Sequence, residues 1–200
     1  MTNVLSWVSS SGVVQGVIIG ATLAFLTAIL IMNAVARAIT TRVNGWSSIT
    51  KSGQPGNGIL VRAACAKALP VVNVFEEAAY WTAKTDGSRG TLSGTHDYVL
   101  RFPEGQLPPN DAFWSLTLTD VVGYMVNTPG SRSSFNDRSA LARNADGSID
   151  IYLQQKAPAG HEQNWLPTPA GTFKLMLRAY LPGAAILNGT YRVPPVVKVR

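Results

Sequence analysis

The hydrophobic pattern divides the chain into a uniformly apolar stretch, a polar stretch and an alternating stretch. From Val13 to Ala36 the sequence reads VVQGVIIGATLAFLTAILIMNAVA, apolar on every side, with Gln15 and Asn33 its strongly polar members. At 1.5 Å per residue this makes a helix of about 36 Å, enough to cross a hydrocarbon core about 30 Å thick. A helix buried in a soluble protein is seldom so long and so apolar all round. A cleavable secretory signal is the competing reading, but it needs a basic leading segment and a shorter apolar region. Met1 to Gly12 holds no Lys or Arg. The pattern therefore predicts one retained transmembrane helix. Within it Gly12, Gly16, Gly20, Ala24 and Ala28 recur every fourth residue. Such small side chains stacked along one side let another backbone approach closely in lipid, so this face is expected to pack on its own copy or on another membrane subunit. The plainer reading is that Gly and Ala are common in membrane helices.

Thr40 to Gly58, TTRVNGWSSITKSGQPGNG, is rich in Gly, Ser, Thr and Asn and reads as a surface tether, with Trp46 at the membrane interface. Ile59 to Leu69, ILVRAACAKAL, has helical composition and stops at Pro70. Its Arg62 and Lys67 are placed toward lipid headgroups. Cys65, among alanines, reads as a small buried apolar residue rather than a nucleophile. After Pro70 the period becomes two. Strands are predicted at Ala78–Thr85, Asp97–Phe102, Ala112–Asp120, Tyr124–Asn127, Ile149–Gln154, Phe173–Tyr180 and Val196–Val199. Turn signals such as Asp86-Gly87, Asp120 to Gly123 and Asn144 to Gly147 separate them. In FWSLTLTD, Trp114, Leu116 and Leu118 face inward and Ser115, Thr117 and Thr119 the wetter side. In FKLMLRAY the inward set is Phe173, Leu175, Leu177 and Ala179, with Arg178 and Tyr180 opposite. The predicted fold is mainly β, an antiparallel jelly-roll or β-sandwich domain preceded by one transmembrane helix. The divisions are 1–39 for tail and helix, 40–75 for tether and short helix, and 76–200 for the jelly roll.

Charge sharpens this picture. Charged residues are 14% of the chain, against roughly 25% in soluble domains. The net charge of +6 is lopsided: Arg37, Arg42, Lys51, Arg62 and Lys67 precede the first acid, Glu76, after which twelve basic residues meet eleven acidic ones. Positive charge gathered beside an apolar helix suits anionic lipid rather than nucleic acid. By the positive-inside rule it favours a cytoplasmic body. One cysteine and two histidines, His96 and His161, leave few ligands for a metal, and no cofactor is expected.

The run YVLRFPEGQLPPNDAFWSLTLTDVVGYMV, the turn NADGS before IDIYLQ, the block NWLPTPAGTFKLMLRAYLP and the closing YRVPPVVK resemble the bacterial domain-of-unknown-function 1214 family. The similarity reaches back through VNGW and the helix before EEAAYWTAKTDG, as in short members that begin with one membrane anchor. The resemblance implies a jelly-roll domain. It implies an extracytoplasmic body at the cell envelope, although short relatives carry arginines before the anchor that this sequence lacks. Longer relatives place a second sandwich domain ahead of this one.

Catalytic motifs are sparse. Gly90-Thr91-Leu92-Ser93-Gly94 has its serine one place late for a nucleophile elbow. Ser93, His96 and Asp97 are neighbours in a loop, which does not define a triad. HEQNW, beginning at His161, lacks the second histidine of a zincin helix. Asp120, Asp137, Asp146 and Asp150 allow a glycosidase pair, but each has a plainer role: Asp120 and Asp146 as turn formers, Asp137 as a partner for Arg138 or a backbone amide, Asp150 as a solvated strand residue. A more suggestive group is Trp114, Tyr124, Arg138, Asn164, Trp165, Arg178 and Tyr180, aromatic faces and planar hydrogen-bonding groups of the kind that hold sugars or carboxylates. The plainer reading puts Trp114 in the core, uses Asn164 and Trp165 to pin a loop, and pairs Arg178 with an internal acid. The leading expectation is a membrane-anchored interaction or scaffold domain, an accessory subunit of a membrane complex or a glycan binder, with the lipid bilayer and another transmembrane helix as partners. The alternative is a hydrolase of an envelope polysaccharide with Asp120 or Asp150 and Arg178 in its site.

Overall fold

The computed structural model describes residues 11–50, 52–68, 73–126 and 132–199. The tail from Met1 to Ser10, Lys51, the Pro70 stop and the predicted strand end at Asn127 lie outside them.

Helix α1, Gly12–Ile39, takes in the whole apolar stretch and leaves none of its residues buried. Ser11 caps its start, accepting the Val14 N–H on its hydroxyl at 3.4 Å. At its end the Thr40 hydroxyl donates to the Ala36 carbonyl at 2.6 Å, and Arg37 sits in the last turn, where a cation suits the helix dipole. The helix is long and apolar enough to cross a membrane. A Cβ added at Gly12, Gly16 or Gly20 would meet nothing within 4 Å. The small residues do not stack on one side, as the spacing alone suggests. Each step of four turns the row by about 40°, so over its length it winds about 160° around the axis and a crossing partner meets only part of it.

Strands β1 (Thr41–Val43) and β2 (Trp46–Ser48) correct the tether reading. Asn44 and Gly45 both have positive φ, 55° and 83°, the backbone that a two-residue hairpin needs. Glycine has a second reason there: a Cβ on Gly45 would stand 2.6 Å from the Asp86 carbonyl oxygen. Trp46 is 1% exposed, and its indole N–H donates to the Pro194 carbonyl at 2.8 Å. It is core, not an interface anchor. Helix α2, Ile59–Ala68, packs on the end of α1, with the Lys67 ammonium donating to Asn33 Oδ1 at 2.8 Å. Cys65 is buried.

The remaining strands are β3 (Ala78–Ala83), β4 (Tyr98–Phe102), β5 (Asn110–Thr119), β6 (Ser134–Asn136), β7 (Ile149–Gln154), β8 (Trp165–Pro167), β9 (Lys174–Pro182) and β10 (Val196–Lys198). They form a six-stranded sheet, β1-β2-β3-β9-β5-β6, and a four-stranded sheet, β10-β4-β7-β8. The protein is mainly β, and among the described residues the strands pair antiparallel except for the parallel β7–β8 pair. Inward residues of both sheets make one core around Trp46, Tyr98, Phe102, Leu116, Leu153 and Leu177. The predicted inward sets of β5 and β9 are buried. Tyr124–Asn127 is not a strand where described: Met125 makes only an isolated bridge to Thr119. Thr117 and Thr119, expected on a wet face, are buried at 6% and 4% exposure. The Arg178 guanidinium donates to the Thr117 hydroxyl, and the segment after β5 folds back beside Thr119.

Candidate functional site: a cationic cleft beside the apolar helix

Because side chains alternate along a strand, the core-facing residues of β9 leave Lys174, Met176, Arg178 and Tyr180 on the outer face of the six-stranded sheet. The register brings Arg42, Ser47, Thr82, Met176 and Thr117 into one row across that face. Lys174 lies opposite Thr119 one row on. This face carries a cleft of about 1040 Å³ whose lining includes Thr40, Arg42, Tyr80, Lys84, Arg89 and Lys174, with Val122 and Gly123 at one rim. Among the described residues four cations line it and no carboxylate does.

Each cation is positioned locally. Arg42 follows α1 on the edge strand. Lys84 follows Ala83, whose inward position turns the next side chain outward. Arg89 is presented by a turn that Asp86 builds, its Oδ1 accepting the Ser88 and Gly90 N–H groups at 2.9 and 2.8 Å. Lys174 is the unusual member. It is buried at 9% exposure, and its ammonium donates to the Val122 carbonyl at 3.2 Å. Burial, and then the neighbouring Lys84 charge, hold its pKa below the ordinary 10.5. Asp120 pulls the other way, but its Oδ1 already accepts three backbone N–H groups, from Val122, Gly123 and Tyr124, at 2.9, 2.6 and 2.9 Å. Those bonds, Gly123 and Tyr124 foremost, lower the Asp120 pKa. Arg101 pairs with Asp146 at 2.7 Å and with Asp150 at 3.6 Å, and no ion pair between described residues reaches Lys174. Lys174 is thus a buried cation without a carboxylate in ion-pair contact. Burying a charge costs free energy unless it is paired. An anion in the cleft would supply the missing partner.

The residues singled out by sequence do not converge. Trp114 is in the core. Asn164 is buried and pins a loop: its side-chain amide donates to the Ala142 and Asp150 carbonyls and its Oδ1 accepts the Ala142 N–H, all at 2.8 Å. The Trp165 indole N–H donates to the Gln154 carbonyl. Tyr124 is exposed on the turn after β5, and Arg138 is exposed after β6 with its backbone N–H on Asn136 Oδ1 rather than on Asp137. Arg178 and Tyr180 share the outer face, where Tyr180 stacks on Phe113 with centroids 4.3 Å apart. Arg178 bonds a hydroxyl, not an acid.

The alternative catalytic set does not assemble. Asp150 lies between the buried Ile149 and Ile151 and so faces outward from the four-stranded sheet. Arg178 faces outward from the other sheet, with the whole core between them. Nor is Asp150 a solvated residue. Its side chain is 13% exposed and held by Arg101 and by Asn144 Nδ2. Asp146 is a turn former whose carboxylate, bonded by the Ser148 hydroxyl and N–H and by Arg101, has its pKa lowered to about 2. His96 contacts Lys198 Nζ, whereas the Ser93 hydroxyl contacts Thr95, so no triad forms. The His161 ring lies 4.8 Å from that of Tyr152. Sequence reading placed Arg42 in the basic stretch after the helix but missed Lys84, Arg89 and Lys174, which no shared spacing marks.

The family model described as "Protein of unknown function (DUF1214)" matches residues 77–184. The chain belongs to this family. Comparison with curated proteins finds no match. Among solved structures, the VPA0106 protein from Vibrio parahaemolyticus is similar at 27% identity and a TM-score of 0.62, over 72% of this chain and 36% of that one. An uncharacterized protein from Burkholderia cenocepacia aligns at 13% identity and a TM-score of 0.44, over 88% of this chain and 49% of the other. The family chain described here therefore spans about half or less of the length of these two. The family match covers β3 to the start of α3 (Ala184–Leu187), and with them Lys84, Arg89 and Lys174. Arg42 and the apolar helix fall outside it.

Proposed function

We propose that this protein is a membrane-anchored interaction domain that holds an anionic group in the cleft between β1 and the turn after β5, and that it acts by binding rather than by catalysis. The observation that carries this reading is Lys174, a lysine only 9% exposed whose charge feels that of Lys84, in a cleft where four cations and, among the described residues, no carboxylate stand in the lining. Building such a site costs stability, because like charges are held together in a partly dry place. That cost is recovered when an anion enters. The anchor is α1, whose length and composition suit a bilayer span. Its Gly and Ala row offers a partner helix, from a second copy or a membrane subunit, a surface without bulky side chains.

A hydrolase reading has less support, since Asp150 and Arg178 lie on opposite outer faces and Asp120 is occupied by its own turn. A glycan platform has less support too, because the seven aromatic and planar residues are dispersed.

The test uses the full chain in phosphatidylcholine nanodiscs titrated with glycerol phosphate, followed by the phosphorus resonance of the ligand. Saturable broadening that is lost in Lys84→Gln with Lys174→Gln supports the proposal. Broadening absent from the native chain, or unchanged in the double variant, removes it.

A further inference from the structure

Four apolar side chains stand in water on the turn whose Val122 and Gly123 line the cleft: Val121, Val122, Tyr124 and Met125 are 52%, 72%, 73% and 65% exposed. The backbone that carries them is tied down. Asp120 Oδ1 accepts three N–H groups of the turn, and the Asp120 N–H donates to the Tyr124 carbonyl at 2.9 Å. Gly123 adopts φ +127°, where a larger residue would be strained. The turn is therefore a built projection that holds its apolar side chains outward. It adjoins the cations directly, since Lys174 bonds the Val122 carbonyl and Val122 and Gly123 line the cleft that Thr40 also lines.

Thr40 fixes a depth. If Val13 to Met32 fills a hydrocarbon core of about 30 Å, the last eight residues of the path, to Thr40, rise about 12 Å through the headgroup layer. A surface next to Thr40 that pairs cations with projecting apolar side chains has the two chemistries of a membrane interface, phosphate above and acyl chain below. A free anion would use the cations and gain nothing from the valines.

From this juxtaposition we propose that the turn Val121–Met125 dips into the interface of an anionic bilayer, and that the cleft behind it closes on the phosphate of an anionic phospholipid headgroup. The second half rests on the cleft being an anion site. The first half does not. The domain is then held at two points, by α1 and by the turn.

The test reconstitutes the full chain, carrying Cys65→Ala and Val122→Cys labelled with an environment-sensitive fluorophore, into vesicles of phosphatidylcholine alone or mixed with phosphatidylglycerol. Asp111→Cys is the control. It lies at the opposite end of β5, about 30 Å away along the strand. The label at 122 is expected to shift to the blue and be quenched by lipids carrying shallow nitroxides when phosphatidylglycerol is present, while the label at 111 does neither. Lys84→Gln with Lys174→Gln should lose the phosphatidylglycerol dependence. A label at 122 that stays open to aqueous iodide in both lipids overturns the inference, even if glycerol phosphate still binds. A blue-shifted label that nitroxide lipids fail to quench means a protein covers the turn, and overturns it equally. Failure of glycerol phosphate to bind in nanodiscs, with the label still quenched by lipid, instead removes the cleft reading and leaves the dipping turn.

Discussion

The Lys174 ammonium donates to the Val122 carbonyl at 3.2 Å, which ties the first residues of β9 to the turn after β5 and places a buried charge beside an exposed apolar projection. Stability and binding are set against each other at this contact. Lys174→Met removes a charge that lacks a carboxylate partner and keeps most of the side-chain volume. It is expected to raise stability by about 1 kcal/mol while lowering affinity for glycerol phosphate by about tenfold or more, since a hydrogen bond to a charged group contributes roughly 1.5–3 kcal/mol. Denaturant titration and ligand titration of the same variant would show opposite signs. A loss of both would mean that Lys174 supports the fold.

The lowered Lys174 pKa gives a pH dependence. The ammonium is the binding form, so affinity should begin to fall with rising pH below the range where an ordinary lysine at 10.5 titrates. The unfolded chain holds this proton more tightly than the folded one, so the same rise in pH adds stability between the folded and unfolded values. Ligand titrations from neutral to alkaline pH, with Lys174→Met as reference, would reveal the difference.

Acid should act through Asp146. Its pKa of about 2 lies below the ordinary 3.8 because Ser148 and Arg101 bond the charged form. The contribution is present above the unfolded value and is lost as pH falls through about 2. Asp146→Asn should flatten this part of an acid-unfolding profile without altering glycerol phosphate binding.

Asn164 and Gly94 hold the loops around the four-stranded sheet. Asn164→Asp keeps the acceptor for the Ala142 N–H but loses both donors, leaving the Ala142 and Asp150 carbonyls unsatisfied. A cost of about 2–3 kcal/mol is expected. At Gly94 a Cβ would fall 1.7 Å from the Pro169 carbonyl oxygen. Backbone must move to admit it, so Gly94→Ala should cost about 3 kcal/mol or more. Both are measured by the shift in denaturation midpoint. Values near zero would show that these loops are not coupled to the core.

The winding of the small residues around α1 gives a positional expectation. Gly16→Leu with Gly20→Leu should weaken helix association in a bilayer, measured by energy transfer between labelled copies or by recovery of a copurified membrane protein. Unchanged association would remove the helix-packing proposal.

The sequence by itself determined the elements whose signal is local. Uniform apolarity marks α1, and alternation along the eight-residue runs FWSLTLTD and FKLMLRAY marks the core faces of β5 and β9, because the side-chain period is a property of the strand. The Asp120 and Asp146 turns were readable for the same reason: a carboxylate reaches amides two to four residues on. Asn44-Gly45 between Val43 and Trp46 is a local signal for the β1–β2 hairpin too, but the Gly, Ser and Thr around it give the same stretch the composition of a tether. Tertiary structure alone decided the cleft. Arg42, Lys84, Arg89 and Lys174 come from separate segments and meet through the pairing of β1, β2, β3 and β9. Such pairing joins residues far apart in the chain, and no local period encodes it. The burial of Lys174 was equally hidden. Its place on the outer face follows from alternation, but its loss of water depends on where the turn after β5 folds, and that is set by packing rather than by propensity.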